Sequence, residues 1–191
     1  MPTTELTREY EGATIPAPGT WEFDTTHSEV TFSVRHMMVS KVRGRFAPPA
    51  GTFVIAEDPR QSSVDVDIDA ASVDTGEANR DGHLKSPDFF DVAEHPTIHF
   101  RSTGVRHVKG DNWTLDGELT VKGVTRPVSL DLEVNGVGRD PYGNVKSGFT
   151  ATAKLNRDDW GLNWNAALET GGFLIGKEIT VEINVEAAVQ Q

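Results

Sequence analysis

The sequence predicts an all-β domain of about eight antiparallel strands, arranged as a closed barrel or a two-sheet sandwich. Three observations carry this: apolar residues recur at period two, turn residues separate the runs, and only two short stretches have helical character. Alternate side chains of a strand point to opposite faces, so these runs each have one apolar and one wet face. Strands covered by helices on both sides would read as continuous apolar runs. With so little helix, the apolar faces have to cover one another.

Residues 1–19 mix Thr, Glu, Gly and Pro and read as an extended arm, with a single domain over 20–191 that begins its structure at Trp21. Val30, Phe32 and Val34 alternate with Thr31, Ser33 and Arg35 in the first clear strand. Phe53 with Ile55 forms a short piece, and Val64, Val66 and Ile68 alternate with Asp65, Asp67 and Asp69. Ile98 with Phe100 is another short piece. The rows of Trp113 to Val121, Val128 to Val134, Phe149 to Leu155 and Ile179 to Val185 complete the set. Pro48-Pro49-Ala50-Gly51, Lys109-Gly110-Asp111-Asn112 and Asp140-Pro141-Tyr142-Gly143-Asn144 supply the turns between them.

The two helical stretches are Glu77 to Lys85 and the region of Trp164 to Glu169. Ser86 followed by Pro87 has the form of a helix start, and Asp81 that of a cap. The long excursion from Val73 to Pro96 carries its own apolar anchors, Leu84, Phe89, Phe90 and Val92, as lids and plugs do.

Composition narrows the function. The 191 residues include 29 Asp plus Glu against 18 Lys plus Arg, a net charge of -11, and no cysteine. Such a charge repels a phosphate backbone, so nucleic acid is not an expected partner. The missing thiols exclude disulfides, thiolate metal sites and cysteine nucleophiles. No window reaches the ~18 consecutive apolar residues of a spanning helix, and the first ten residues lack a secretory core. The expectation is a cytoplasmic protein without stable membrane insertion.

Catalytic chemistry finds no foothold. His27-Ser28 beside Asp24 is the sole local triad candidate, and a Gly-x-Ser-x-Gly elbow is absent. His95 and His99 have helical metal spacing, but Pro96 between them removes the helix. Asp65, Asp67 and Asp69 sit in a strand pattern, which makes them a solvated face instead of a calcium loop. The expectation is a protein that is not an enzyme and uses neither metal nor cofactor, with His36 or His83 as general base in the least favoured alternative.

An eight-stranded barrel can fill its interior or hold one small ligand. Gly117, Ala151 and Ala153 on inward rows either leave room or seat Phe32, Phe46, Phe53 or Phe100 from across the barrel.

Five ordered blocks resemble the YceI-like lipid-binding family. They are Trp21-Glu22-Phe23-Asp24 with His27-Ser28 and His36; Gly44 and Phe46; Asn79-Arg80-Asp81-Gly82-His83-Leu84-Lys85-Ser86 through His99-Phe100; Gly117 to Thr125; and Leu155-Asn156-Arg157-Asp158-Asp159-Trp160-Gly161. The resemblance runs from about Trp21 to Ala187. It implies a lipocalin-like eight-stranded antiparallel β-barrel with one or two short helices, whose pore holds a polyisoprenoid or similar long-chain amphiphile for transport, storage or sequestration. A packed barrel that acts as an interaction or stress-response module without a lipid ligand is the alternative.

By that resemblance the inward rows become ligand contacts: Phe32, Val34, His36, Phe46 and Phe53 from the first strands, then Val66 and Ile68. Arg80, Leu84 and Phe89 join from the excursion, and Phe100, Leu119, Leu132, Phe149, Ala153 and Phe173 from the later rows. Homodimers are common in such proteins, and many are periplasmic.

Overall fold

The computed structural model describes residues 6–190. Twelve strands follow in order: β1 Thr7–Tyr10, β2 Ala13–Pro16, β3 Gly19–Phe23, β4 Glu29–His36, β5 Ser40–Phe46, β6 Thr52–Ile55, β7 Ser63–Asp69, β8 Thr97–Lys109, β9 Asn112–Val121, β10 Val124–Arg139, β11 Val145–Asn156 and β12 Ile175–Val189. One helix, α1, spans Ala78–Lys85 between β7 and β8.

The sheet closes. Around the ring run β11, β10, β9, β8, β7, β6, β3 and β12, and β12 returns to β11 in register from Lys146↔Ala188 to Asn156↔Glu178. The first two staves are each broken. The far edge of β12 pairs with β4 over Ile175 to Asn184 and with β3 over Ala187 to Val189, so β3 and β4 form one kinked stave. The β4–β5 and β3–β6 pairings make β5 and β6 the next kinked stave. The fold is therefore a closed, antiparallel, eight-staved barrel, and closure removes the open strand edges that promote aggregation except where β5 faces β7.

β5 was not expected from the pattern. Its inward row is Val42, Gly44 and Phe46, and the glycine interrupts the apolar signal. Structure also starts before Trp21: β1 and β2 pair as a hairpin about Glu11 and Gly12, both with positive φ. Ala13 and Ile15 are buried there against Val105, Trp113 and Val134. Arg8 donates to the carbonyls of Ala56 and Glu57, which fixes the hairpin to the end of β6. The arm is thus a cap on one end of the barrel; its first five residues lie outside the described range.

β6 meets β7 only at Phe53↔Val64 and Val54↔Ser63, while β5 and β7 are unpaired, which leaves a slot in the wall. The Val73 to Pro96 excursion fills it. Arg45 and Asp74 exchange both backbone hydrogen bonds at 2.9 Å, and the Phe90 ring meets Phe46 edge-on at 5.5 Å. Glu77 caps α1 by accepting from the amides of Asn79 and Arg80.

Three local expectations change here. Ser86 ends the helix: its hydroxyl donates to the His83 carbonyl at 2.6 Å, and Pro87 follows as a stop signal. Asp81 is no cap, because its carboxylate accepts from the Thr75 amide and hydroxyl and ties the helix to the preceding loop. The region of Trp164 to Glu169 is irregular; Asn165 holds it by accepting from the Ile175 amide and donating to the Ile175 carbonyl, an arrangement incompatible with helical pairing.

Candidate functional site

The inward rows of the barrel do not close on one another. Ile179, Val181, Ile183 and Val185 all point inward from β12, yet each remains half-buried. The surface they retain faces an interior cavity of about 370 Å³, partly open to solvent, whose wall is almost wholly apolar. That volume lies within the range of small-molecule sites. Outward neighbours such as Thr180 and Glu182 face water, so strand alternation alone generates both surfaces.

Most of the expected contact residues are on this wall. Phe32, Val34, Phe46 and Phe53 line it from the kinked staves, and Val66 and Ile68 from β7. Phe100, Leu119, Leu132 and Phe149 line it from the long strands; Leu84 and Phe89 reach it from the plug. Gly117, one of the three small inward residues, seats an aromatic ring, and so does Gly44 on β5. A Cβ on Gly44 would lie 2.3 Å from Phe32 Cζ, and one on Gly117 2.5 Å from Phe100 Cζ. Ala151 does border the cavity.

Four expected contacts lie elsewhere. His36 is the last residue of β4, paired with Ile175 and Ser40 beside the β4–β5 turn, and lies off the cavity wall. Arg80 is exposed because α1 buries no residue; its guanidinium donates to the Thr75 hydroxyl at 2.7 Å and the Thr75 carbonyl at 3.0 Å. Ala153 faces inward, but its single methyl packs in the core cluster and stops short of the cavity. Phe173 is 56% exposed on an outer turn. His83 likewise points away from the cavity, bonded to Asp88 at 2.9 Å.

The short 3-10 turn Arg157–Trp160 supplies wall residues that strand periodicity could not reveal. Asn156 starts the turn by accepting from the Asp158 amide, and Gly161 ends it in the left-handed region. Trp160 lies on the wall and donates its indole N–H to the Leu119 carbonyl at 3.0 Å. Arg157 is buried beside it and forms no ion pair among the described residues; it donates instead to the carbonyls of Gly176, Leu162, Trp164 and Ile175. Burial lowers its pKa. The guanidinium is spent on backbone, so the stem alone meets the cavity. Trp113, the other indole of the wall, has a buried N–H with no hydrogen-bond partner among the described residues.

A polar staple sits at the β3–β4 kink. Asp24, His27 and Glu186 lie close enough to share an ion, but Lys146 Nζ already stands 2.6 Å from Asp24 and 3.2 Å from Glu186. Hydrogen bonds from Lys146, and then from His27, hold the Asp24 carboxyl well below the ordinary range, and Asp24 in turn raises His27. The cluster joins the kinked stave to β11 and β12. Outside the barrel, His99 bridges Asp65 and Asp67 at 3.2 and 2.6 Å on the acidic face of β7.

A closed antiparallel barrel that encloses an apolar cavity beneath a plugged slot belongs to the class of lipocalin-like barrels. The chain belongs to the YceI-like family, whose domain model matches residues 21–187. A UPF0312 protein of Staphylococcus aureus is 36% identical over 175 residues, covering 88% of this chain and 97% of that protein. Among solved structures, Burkholderia cenocepacia BcnA superposes with a TM-score of 0.75 at 20% identity, over 86% of this chain and 98% of that one. A polyisoprenoid binding domain from Saccharophagus degradans, implicated in plant cell wall breakdown, superposes with a TM-score of 0.66 at 15% identity, over 89% and 98%.

Proposed function

We propose that this barrel is a non-catalytic carrier or store for a long apolar chain of the polyisoprenoid class, the tail occupying the interior cavity. The observation that carries the reading is the apolar wall around a partly open interior cavity of about 370 Å³. Methyl-branched prenyl units suit a wall of Val, Ile, Leu and Phe side chains. Each buried methylene contributes roughly 0.8 kcal/mol. An embedded chain of about ten carbons therefore gains on the order of 8 kcal/mol before immobilisation costs. The polyisoprenoid binding named for the Saccharophagus domain supports the same ligand class.

Trp113 and Trp160 on the wall give the test its signal. A prenyl quinone should quench tryptophan fluorescence saturably, at one molecule per chain, and a prenol lacking the quinone ring should compete. A quinone without a tail should not bind. Quenching that fails to saturate, or that the tailless quinone reproduces, would refute the proposal.

A further inference from the structure

The turn between β4 and β5 is built against its own backbone preference. Val39 N–H donates to the His36 carbonyl at 3.1 Å, and the two residues inside that turn, Met37 and Met38, have φ of 50° and 62°. Positive φ at both central positions is the signature of a type I′ hairpin turn, which favours Asn-Gly. Here it presents large apolar side chains to solvent: Met37, Met38 and Val39 are 46%, 67% and 79% exposed.

A second segment joins them. Met37 N–H donates to the Leu174 carbonyl at 2.7 Å, and Met38 Sδ stands where a Cβ on Gly172 would be 2.4 Å away. Phe173, also exposed, follows directly. Two turns thus combine into one apolar knob.

The charge beside the knob opposes the rest of the molecule. Arg35 on β4 faces Lys41 on β5 across the ladder, and Arg43 follows on the same outward side. All three are exposed, and none forms an ion pair among the described residues. Arg45, one step farther, is held by Asp74 at 3.2 Å. The nearby acids are Glu169, on the turn before Phe173, and Glu178, in the β12 irregularity opposite the end of β4, which Lys154 holds at 3.6 Å. On a chain of net charge -11, this concentration of unpaired cations around exposed methionines is a local reversal.

We infer that the β4–β5 tip docks on an anionic lipid bilayer. Apolar side chains that enter the headgroup boundary, ringed by Lys and Arg that meet anionic headgroups, are how a soluble domain lies on a membrane without crossing it. Flexible thioethers suit that irregular boundary. The placement also has a consequence for cargo: Val34, the last inward residue before the turn, and Ile179, its partner on β12, both line the cavity, so docking brings one end of the cavity wall to the lipid.

Co-sedimentation with vesicles tests this, using phosphatidylcholine alone and phosphatidylcholine mixed with phosphatidylglycerol. The full chain should pellet with the mixed vesicles, not with phosphatidylcholine alone, and added salt should release it. Lys41→Gln with Arg43→Gln should lower partitioning roughly thirty-fold, as expected for two charges near an anionic surface. Met37→Asn with Met38→Gly suits the turn and so keeps the hairpin, and should lower partitioning roughly ten-fold. Prenyl-quinone quenching should be unchanged in both variants, which separates failure of docking from failure of cavity binding. Equal binding to both vesicles, or unaltered partitioning of the variants, would overturn the inference. So would self-association in lipid-free buffer that the Met37 and Met38 changes abolish, since that assigns the knob to a second copy of the chain.

Discussion

The Phe32 ring rests on the backbone of Gly44, its cross-strand partner, so closely that a Cβ there would be 2.3 Å from Phe32 Cζ. Phe100 covers Gly117 in the same way, but there the missing Cβ would also meet the Arg101 carbonyl at 2.7 Å. Large rings laid over glycines let the wall curve while remaining apolar.

The two glycines should respond differently to alanine. At Gly44 the obstruction is the far end of a side chain that borders open cavity, so Gly44→Ala should tilt Phe32 inward at a cost of about 1 kcal/mol. At Gly117 backbone obstructs too, and Gly117→Ala should lose about 3 kcal/mol. Urea unfolding of both variants checks the order. Equal losses would contradict the assignment.

Indole replacements should separate Trp113 from Trp160. Trp160→Phe removes a donor from the partly buried Leu119 carbonyl and should cost about 1 kcal/mol. Trp113→Phe removes an N–H that has no partner, so the smaller ring offsets lost packing against a relieved polar burial and should be milder. Thermal denaturation of the pair is sufficient.

Arg157 organises the irregular segment between β11 and β12 by donating to four carbonyls. Lysine keeps the charge but lacks the planar fork. Arg157→Lys should lose about 2 to 3 kcal/mol, and hydrogen exchange should accelerate across 161–176 while the distant β8 and β9 stay protected. Uniform acceleration would indicate a different role.

Acid should weaken the outer barrel through Asp116. Its hydrogen bonds from Arg106 and then Ser129 lower its pKa from 3.8 to about 2. A depressed carboxyl stabilises the fold above its unfolded value and loses that contribution as pH falls through the folded one. Stability should therefore drop between about pH 4 and pH 2. Asp116→Asn should flatten that decline and cost about 1 kcal/mol at neutral pH, the partial exposure of the side chain reducing the full linkage value. His27 has the opposite sign: its raised pKa favours folding most fully below 6.5, and that part is lost as pH rises through the folded value.

How much of this was legible follows from what each residue reports. Every strand with an unbroken apolar row was visible at period two, from Val30 to Val185, and the apolar anchors of the Val73 to Pro96 plug marked it as more than a loop. β5 was hidden by Gly44, because the atoms that fill its place belong to Phe32 on another strand. The β1–β2 hairpin was hidden because two small contributions, Ala13 and Ile15, suffice to bury it. Trp160 and Arg157 reach the cavity region from a 3-10 turn, where alternation has no meaning. His36, Arg80 and Phe173 are off the wall because continuing a strand row, or lying in an anchored segment, says nothing of where the cavity ends or which local groups a side chain bonds.

The cavity as a ligand site is the central claim, and native mass spectrometry of gently purified protein tests it most directly. The account predicts one added molecule of long-chain apolar character per chain, recovered by solvent extraction or acquired on incubation with a prenol, and lost in Ala151→Trp, where the new ring enters the cavity of an otherwise folded barrel. A chain that carries no such guest and acquires none, or an Ala151→Trp variant that binds as well as the parent, would contradict it.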